Sequence, residues 1–251
     1  MINIKYYLVS YDTCKQRAVE NLTKEERNKV ICYAVNAAKP KFITAKVKII
    51  NEWQLPWHDN RYQFLQYYEY GTLPHLVKNL DLLKDLTQVG MLHNDVLFYE
   101  NSVNNMISEL EENPNRIYYV VLRQNDVLYF NKEQLKHIVD YINPKLNINV
   151  DIDKIWNDGW ISESMAVAPV EIFTRFGEFM LKYQYDFENI LYTNRWGLMS
   201  TVKHRNCGFV ERLWGIYLVS CGMEIKRMEV DHDRESYEHQ HLIDKQKFLE
   251  R

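Results

Sequence analysis

Short apolar runs rich in β-branched and aromatic residues recur along this chain, and stretches with helical character fall between them. This alternation restricts the fold more than any other feature, because strands separated by helices build a parallel or mixed sheet covered on both faces. The strand candidates are Ile4 to Ser10, Val30 to Val35, Lys46 to Ile50, Gln88 to His93, Ile117 to Leu122, Ile161 to Ala168 and Glu224 to Val230. Helices are expected near Glu25–Arg27, over Arg61–Asn79 with a kink at Pro74, and over Ser102–Glu112. More are expected over Lys132–Ile142, ending before Asn143-Pro144, from Pro169 through Met180, and over Asn206–Ser220. The fold class is α/β, with a mixed, mostly parallel sheet of Rossmann-like type. In such sheets ligands gather at the carboxyl ends of the strands, so chemistry is sought there.

A chain of 251 residues fits one domain with a sizeable core. No linker divides it, so residues 1–235 are read as the domain and 236–251 as a charged tail. A net charge of -3 argues against a nucleic-acid partner. The four cysteines, Cys14, Cys32, Cys207 and Cys221, form no C-x-x-C pair and suit a reducing compartment. No signal peptide is read at the start, and no apolar run approaches the roughly 18–20 residues of a membrane span. The expected location is cytoplasmic. Aromatic residues reach 14%, and such rings stack on sugars and bases as well as filling cores. No G-x-G-x-x-G, P-loop or G-x-S-x-G motif occurs, which disfavours dinucleotide, P-loop and serine-hydrolase chemistry.

Four constellations carry ligand-type or catalytic groups. The run Val89 to Phe98 ends its apolar part in His93-Asn94-Asp95. Extended residues two apart point to one side, so His93 and Asp95 would face one Mn or Mg ion bridging a diphosphate. The same residues also read as a turn, with Asp95 capping and His93 in the core. Asp231-His232-Asp233 offers a second set, and His232 would complete the coordination if both strand ends meet. Glu211 and Arg212 sit among apolar helical neighbours, either as a structural pair or as site residues. Asp158 and Glu163 flank Trp160, giving a candidate general base beside an aromatic face, or simply an Asp-Gly turn. Arg61 is a candidate phosphate clamp in an aromatic loop.

The strand ending in Ser10-Tyr11-Asp12 and the central run ending in His93-Asn94-Asp95 resemble the GT-A glycosyltransferase plan. There the central strand ends in Asp-x-Asp; His93 stands at the first Asp and Asp95 at the second. Tyr67 to Asn79, Val89 to His93 and Gly208 to Leu213 resemble, in order and spacing, a capsular and exopolysaccharide glycosyltransferase family. Algal-virus glycosyltransferase domains are similar in size and plan. The resemblance implies a UDP- or GDP-sugar donor, a glycan acceptor and a divalent metal. Ser10, Tyr11 and Asp12 would touch base or ribose. Arg61, Gln63 and Asn94 would join the donor site. Asp95, His93 and His232 would hold the metal, and Glu163, Asp158 or Glu211 would meet the acceptor. A metal-dependent phosphoester hydrolase and a non-catalytic carbohydrate-binding protein are the alternatives. Donor sugar, stereochemistry and oligomeric state are not legible.

Overall fold

The alternation of apolar runs produces one large twisted sheet with helices on both faces. The computed structural model describes residues 1–10, 13–35, 42–64, 67–123, 131–193, 195 and 205–232, with backbone alone at 13, 42–43, 63–64, 68, 123, 162–164, 205 and 232. In chain order the elements are β1 (Ile4–Ser10), β2 (Thr13–Cys14), α1 (Lys24–Arg27), β3 (Val30–Ala34), β4 (Phe42–Ile43), β5 (Lys48–Asn51), α2 (Arg61–Phe64), α3 (Thr72–Lys78), β6 (Gln88–His93) and β7 (Val96–Phe98). There follow α4 (Ser102–Glu112), β8 (Ile117–Arg123), α5 (Lys132–Leu146), α6 (Ile152–Asp158), β9 (Trp160–Pro169), α7 (Val170–Tyr192), α8 (Arg205–Ser220), β10 (Ile225–Arg227) and β11 (Val230–His232).

The seven-stranded sheet runs β10-β8-β9-β6-β1-β3-β5. All its pairings are parallel except those of β9, which lies antiparallel to β6 and β8. Central β1 and β3 are buried almost throughout, as expected for strands covered on both faces. Edge β5 and β10 are partly exposed. Alternate residues feed two cores. Tyr7, Val9, Tyr33, Met91 and Ala166 pack with Phe176, Trp214 and Tyr217 from α7 and α8 on one face. Tyr6, Leu8, Cys32, Leu92 and Val167 pack with Met106 and Leu110 of α4 on the other. Gly215 lets α8 lie directly on β9, since a Cβ there would come within 1.9 Å of the Ile161 carbonyl oxygen. Gly159, at φ 97°, makes the turn from α6 into β9.

Four expected elements differ. The Arg61–Asn79 helix is broken into α2, a 3₁₀ turn at Tyr68–Gly71 and α3, with Pro74 inside the first turn of α3, where its missing N–H costs little. α5 continues through Pro144 to Leu146, because Ile142 and Leu146 are both buried and hold the last turn against the core. The late strand splits at buried Met228, whose N–H bonds the Tyr119 carbonyl before the chain leaves the large sheet. Its second half, β11, pairs antiparallel with β7 instead. Helix α7 also runs on past Met180 to Tyr192.

Candidate functional site

Strand order reverses between β1 and β6, since the chain builds outward to β3 and β5 before returning to the other side of β1. The carboxyl ends of β1 and β6, still paired at Val9 and His93, lie at this switch point, the position at which open α/β sheets bind ligands. β1 ends in Ser10, which is fully buried beside the Cys32 thiol. β6 ends in His93, and Asn94-Asp95 turns the chain into β7. Strand alternation stops at His93, so the turn, and not a shared strand face, sets where Asp95 points.

The Asp95 carboxylate is half-buried, and its Oδ1 is shielded from solvent with no hydrogen-bond partner among the described residues. A buried carboxylate oxygen without a donor is costly unless something neutralises it. A hard cation does so, and Asp95 therefore fits a Mg or Mn ligand. β11 runs beside this turn, with His232 in register with Val96 and Asp231 with Leu97. The two strand ends thus meet at the backbone level; the His232 side chain lies outside the described residues.

His93 faces a group that sequence reasoning did not single out. Glu69, in the 3₁₀ turn before α3, has its Oε1 3.8 Å from His93 Nε2, and the two side chains are 16% and 27% exposed. The Cys207 thiol of α8 donates to the same Glu69 oxygen at 3.6 Å. Burial, reinforced by the Glu69 and Glu211 carboxylates, pushes the Cys207 thiol well above its ordinary pKa and keeps it protonated as a donor. Glu211 lies one turn along α8, 4.0 Å from Arg212 Nη1. Arg212 is buried, donates to the Gly208 carbonyl and lies 5.6 Å from the centre of the Trp160 ring. Three segments far apart in sequence, around Glu69, His93 and Glu211, are therefore brought to one strand end. The available signal for Glu69 was a lone carboxylate set among aromatic residues that bury themselves, Tyr67 and Tyr70.

Other expected residues fall as follows. Arg61 is committed to Asp59 through its Nε, 3.0 and 2.9 Å from the carboxylate oxygens, and also donates to the Tyr185 hydroxyl of α7. Asp158 is exposed at the end of α6, two residues before Trp160. Glu163 belongs to the half of β9 that lies toward the carboxyl end of β6, and Gln63 to α2, but both side chains lie outside the described residues, as do Tyr11 and Asp12 altogether.

A second imidazole-carboxylate group sits beyond β5. Glu52, His58 and His75 have ligand atoms within 4.8 Å of one another. The hydrogen bonds of Glu52 and His75 argue against a metal there, whereas His58 Nε2 is shielded from solvent with no hydrogen-bond partner among the described residues. His75 Nε2 accepts the Asp59 N–H at 3.0 Å, which places the ring proton on Nδ1. That Nδ1–H faces the Gly71 carbonyl at 2.6 Å and Glu52 Oε1 at 3.0 Å. Both His75 nitrogens are thus spent, and Glu52 also receives the Tyr33 hydroxyl at 3.2 Å. No helix among the described residues is long and apolar enough to cross a membrane.

No family model and no curated protein matches the chain. Among solved structures it is similar to the bifunctional glycosyltransferase WbbM in apo form, with TM-score 0.60 and 13% identity over 92% of this chain. The match covers 45% of WbbM, so the chain spans less than half of that protein's length. It also matches core-mannan synthase A from Aspergillus fumigatus in a Mn/GDP form, with TM-score 0.44 and 10% identity, over 92% of this chain and 75% of that one. The likeness to WbbM is one of fold: this chain is a mixed, mostly parallel α/β domain built like that of a glycosyltransferase.

Proposed function

We propose that the chain transfers a sugar from a UDP- or GDP-sugar donor to a hydroxyl of a glycan acceptor, assisted by Mn or Mg. The observation that carries this reading is the orphaned Asp95 oxygen at the carboxyl end of the central strand, beside the sheet's switch point. The fold shared with WbbM supports it. In this reading Asp95, His93 and His232 hold the cation, which when bound neutralises charge growing on the leaving diphosphate. Ser10, Tyr11 and Asp12 border the base and ribose, and Asn94 lines the donor side. Arg61 and Gln63 lie toward the diphosphate; for Arg61 this requires exchanging Asp59 for phosphate.

The acceptor side falls to Glu211, Glu163 and Asp158. Glu211 is 19% exposed and stands 4.0 Å from Arg212, which gives a partly exposed carboxylate as a candidate base. A reading as a two-metal hydrolase gains nothing from Glu52 and His75, whose hydrogen bonds are already used. The test is a thermal-shift screen of UDP, GDP and their sugars with and without Mn. Stabilisation by one nucleotide family, enhanced by Mn, is expected. No shift with any nucleotide or nucleotide sugar contradicts the assignment.

A further inference from the structure

We propose that Glu69 is a positioning residue for His93: it accepts the His93 Nε2–H and so presents the Nδ1 lone pair to the cation. The proposal rests on the metal-assisted reading above. A metal-bound histidine ordinarily gives its second ring N–H to a carboxylate or carbonyl, which fixes tautomer and ring orientation and makes the ring a better ligand. Glu69 is the carboxylate that faces His93 Nε2, at 3.8 Å. That separation exceeds the usual N–H···O distance by about 0.8 Å, so the bond requires the carboxylate to move in toward the ring.

Glu69 is itself held for this task. Its Oε1 receives the Cys207 thiol from α8, and that thiol stays protonated because it is buried between carboxylates. Its backbone is a 3₁₀ turn anchored by buried Tyr67 and Tyr70. The following Gly71 packs so tightly that a Cβ there would lie 3.0 Å from the Tyr62 Cβ. Thiol, carboxylate and imidazole thus form a chain from α8 to the end of β6. Glu69 is not a ligand in this scheme; it acts through His93.

The test is Mn binding followed by electron paramagnetic resonance, with circular dichroism to confirm folding. Glu69→Ala is expected to weaken Mn binding by about 10- to 100-fold. Glu69→Gln keeps an accepting oxygen and is expected to lie between Ala and wild type; it carries the test if Glu69→Ala does not fold. Asp95→Asn serves as the reference and is expected to abolish binding. Wild-type affinity in both Glu69 variants, with loss in Asp95→Asn, overturns the role of Glu69 alone. Absence of Mn binding in the wild type overturns the metal-assisted reading and this proposal with it.

Discussion

Two imidazole-carboxylate groups lie in this molecule, and they are finished differently. Glu52 and His75 themselves are partnered: Asp59 N–H on one ring nitrogen, Gly71 carbonyl and Glu52 on the other, and Tyr33 hydroxyl on the carboxylate. Both side chains are almost wholly buried, at 2% and 0% exposure. Around His93 and Asp95 the side chains are only half-buried, the Glu69 contact is long, and Asp95 Oδ1 has no donor among the described residues. A satisfied buried pair fixes a core, whereas a shielded carboxylate oxygen with no donor among the described residues, as at Asp95, is suited to a ligand that arrives later. Ligand-type residues alone would have favoured the first group; the filled hydrogen bonds of Glu52 and His75 count against it, with His58 Nε2 the atom there that has no partner among the described residues.

The largest effect should separate the two groups by activity. Asp95→Asn is expected to lower kcat/KM by roughly a thousandfold, the equivalent of several kcal/mol of charge stabilisation, with no loss of melting temperature. Steady-state kinetics and calorimetry check it; a large fall in melting temperature would make Asp95 structural. Glu52→Ala should do the reverse. It leaves the Tyr33 hydroxyl without its carboxylate acceptor in the core and opens a gap beside His75, and about 3 kcal/mol of stability should be lost in urea unfolding. Mn affinity of the folded protein should be unchanged, and a matching loss of Mn would merge the two groups into one site.

The smallest effect is a pH slope. Burial, then the neighbouring His75, holds the half-buried His58 below the ordinary histidine value. The folded state therefore binds fewer protons there than the unfolded state. Its contribution to stability is complete above about pH 6.5 and is lost as pH falls below that value. His58→Asn should flatten the stability profile below about pH 6.5, and an unchanged slope would assign the acid sensitivity elsewhere.

The strands that set the sheet were readable because they are buried on both faces and so appear as continuous apolar runs: Ile4 to Ser10, Val30 to Ala34 and Gln88 to His93. Helix α4 was readable from its stop signal, with Asn113-Pro114 following its end. What propensity misjudged were places where tertiary contact overrides local rules, as at Pro144 inside α5 and at Met228, where one expected strand divides between two sheets. The His93-Asn94-Asp95 turn was visible as a motif, but the reason first given for it, strand alternation, does not operate there. Glu69 was invisible as a site residue because its meaning lies in contacts with residues 24 and 138 positions away, His93 and Cys207.

The most direct measurement is isothermal titration of Mn, with UDP or GDP present, into the wild-type chain and Asp95→Asn. Saturable binding in the wild type and its loss in the variant are predicted. Equal binding by both, or none by either, would contradict a cation site at the end of the central strand.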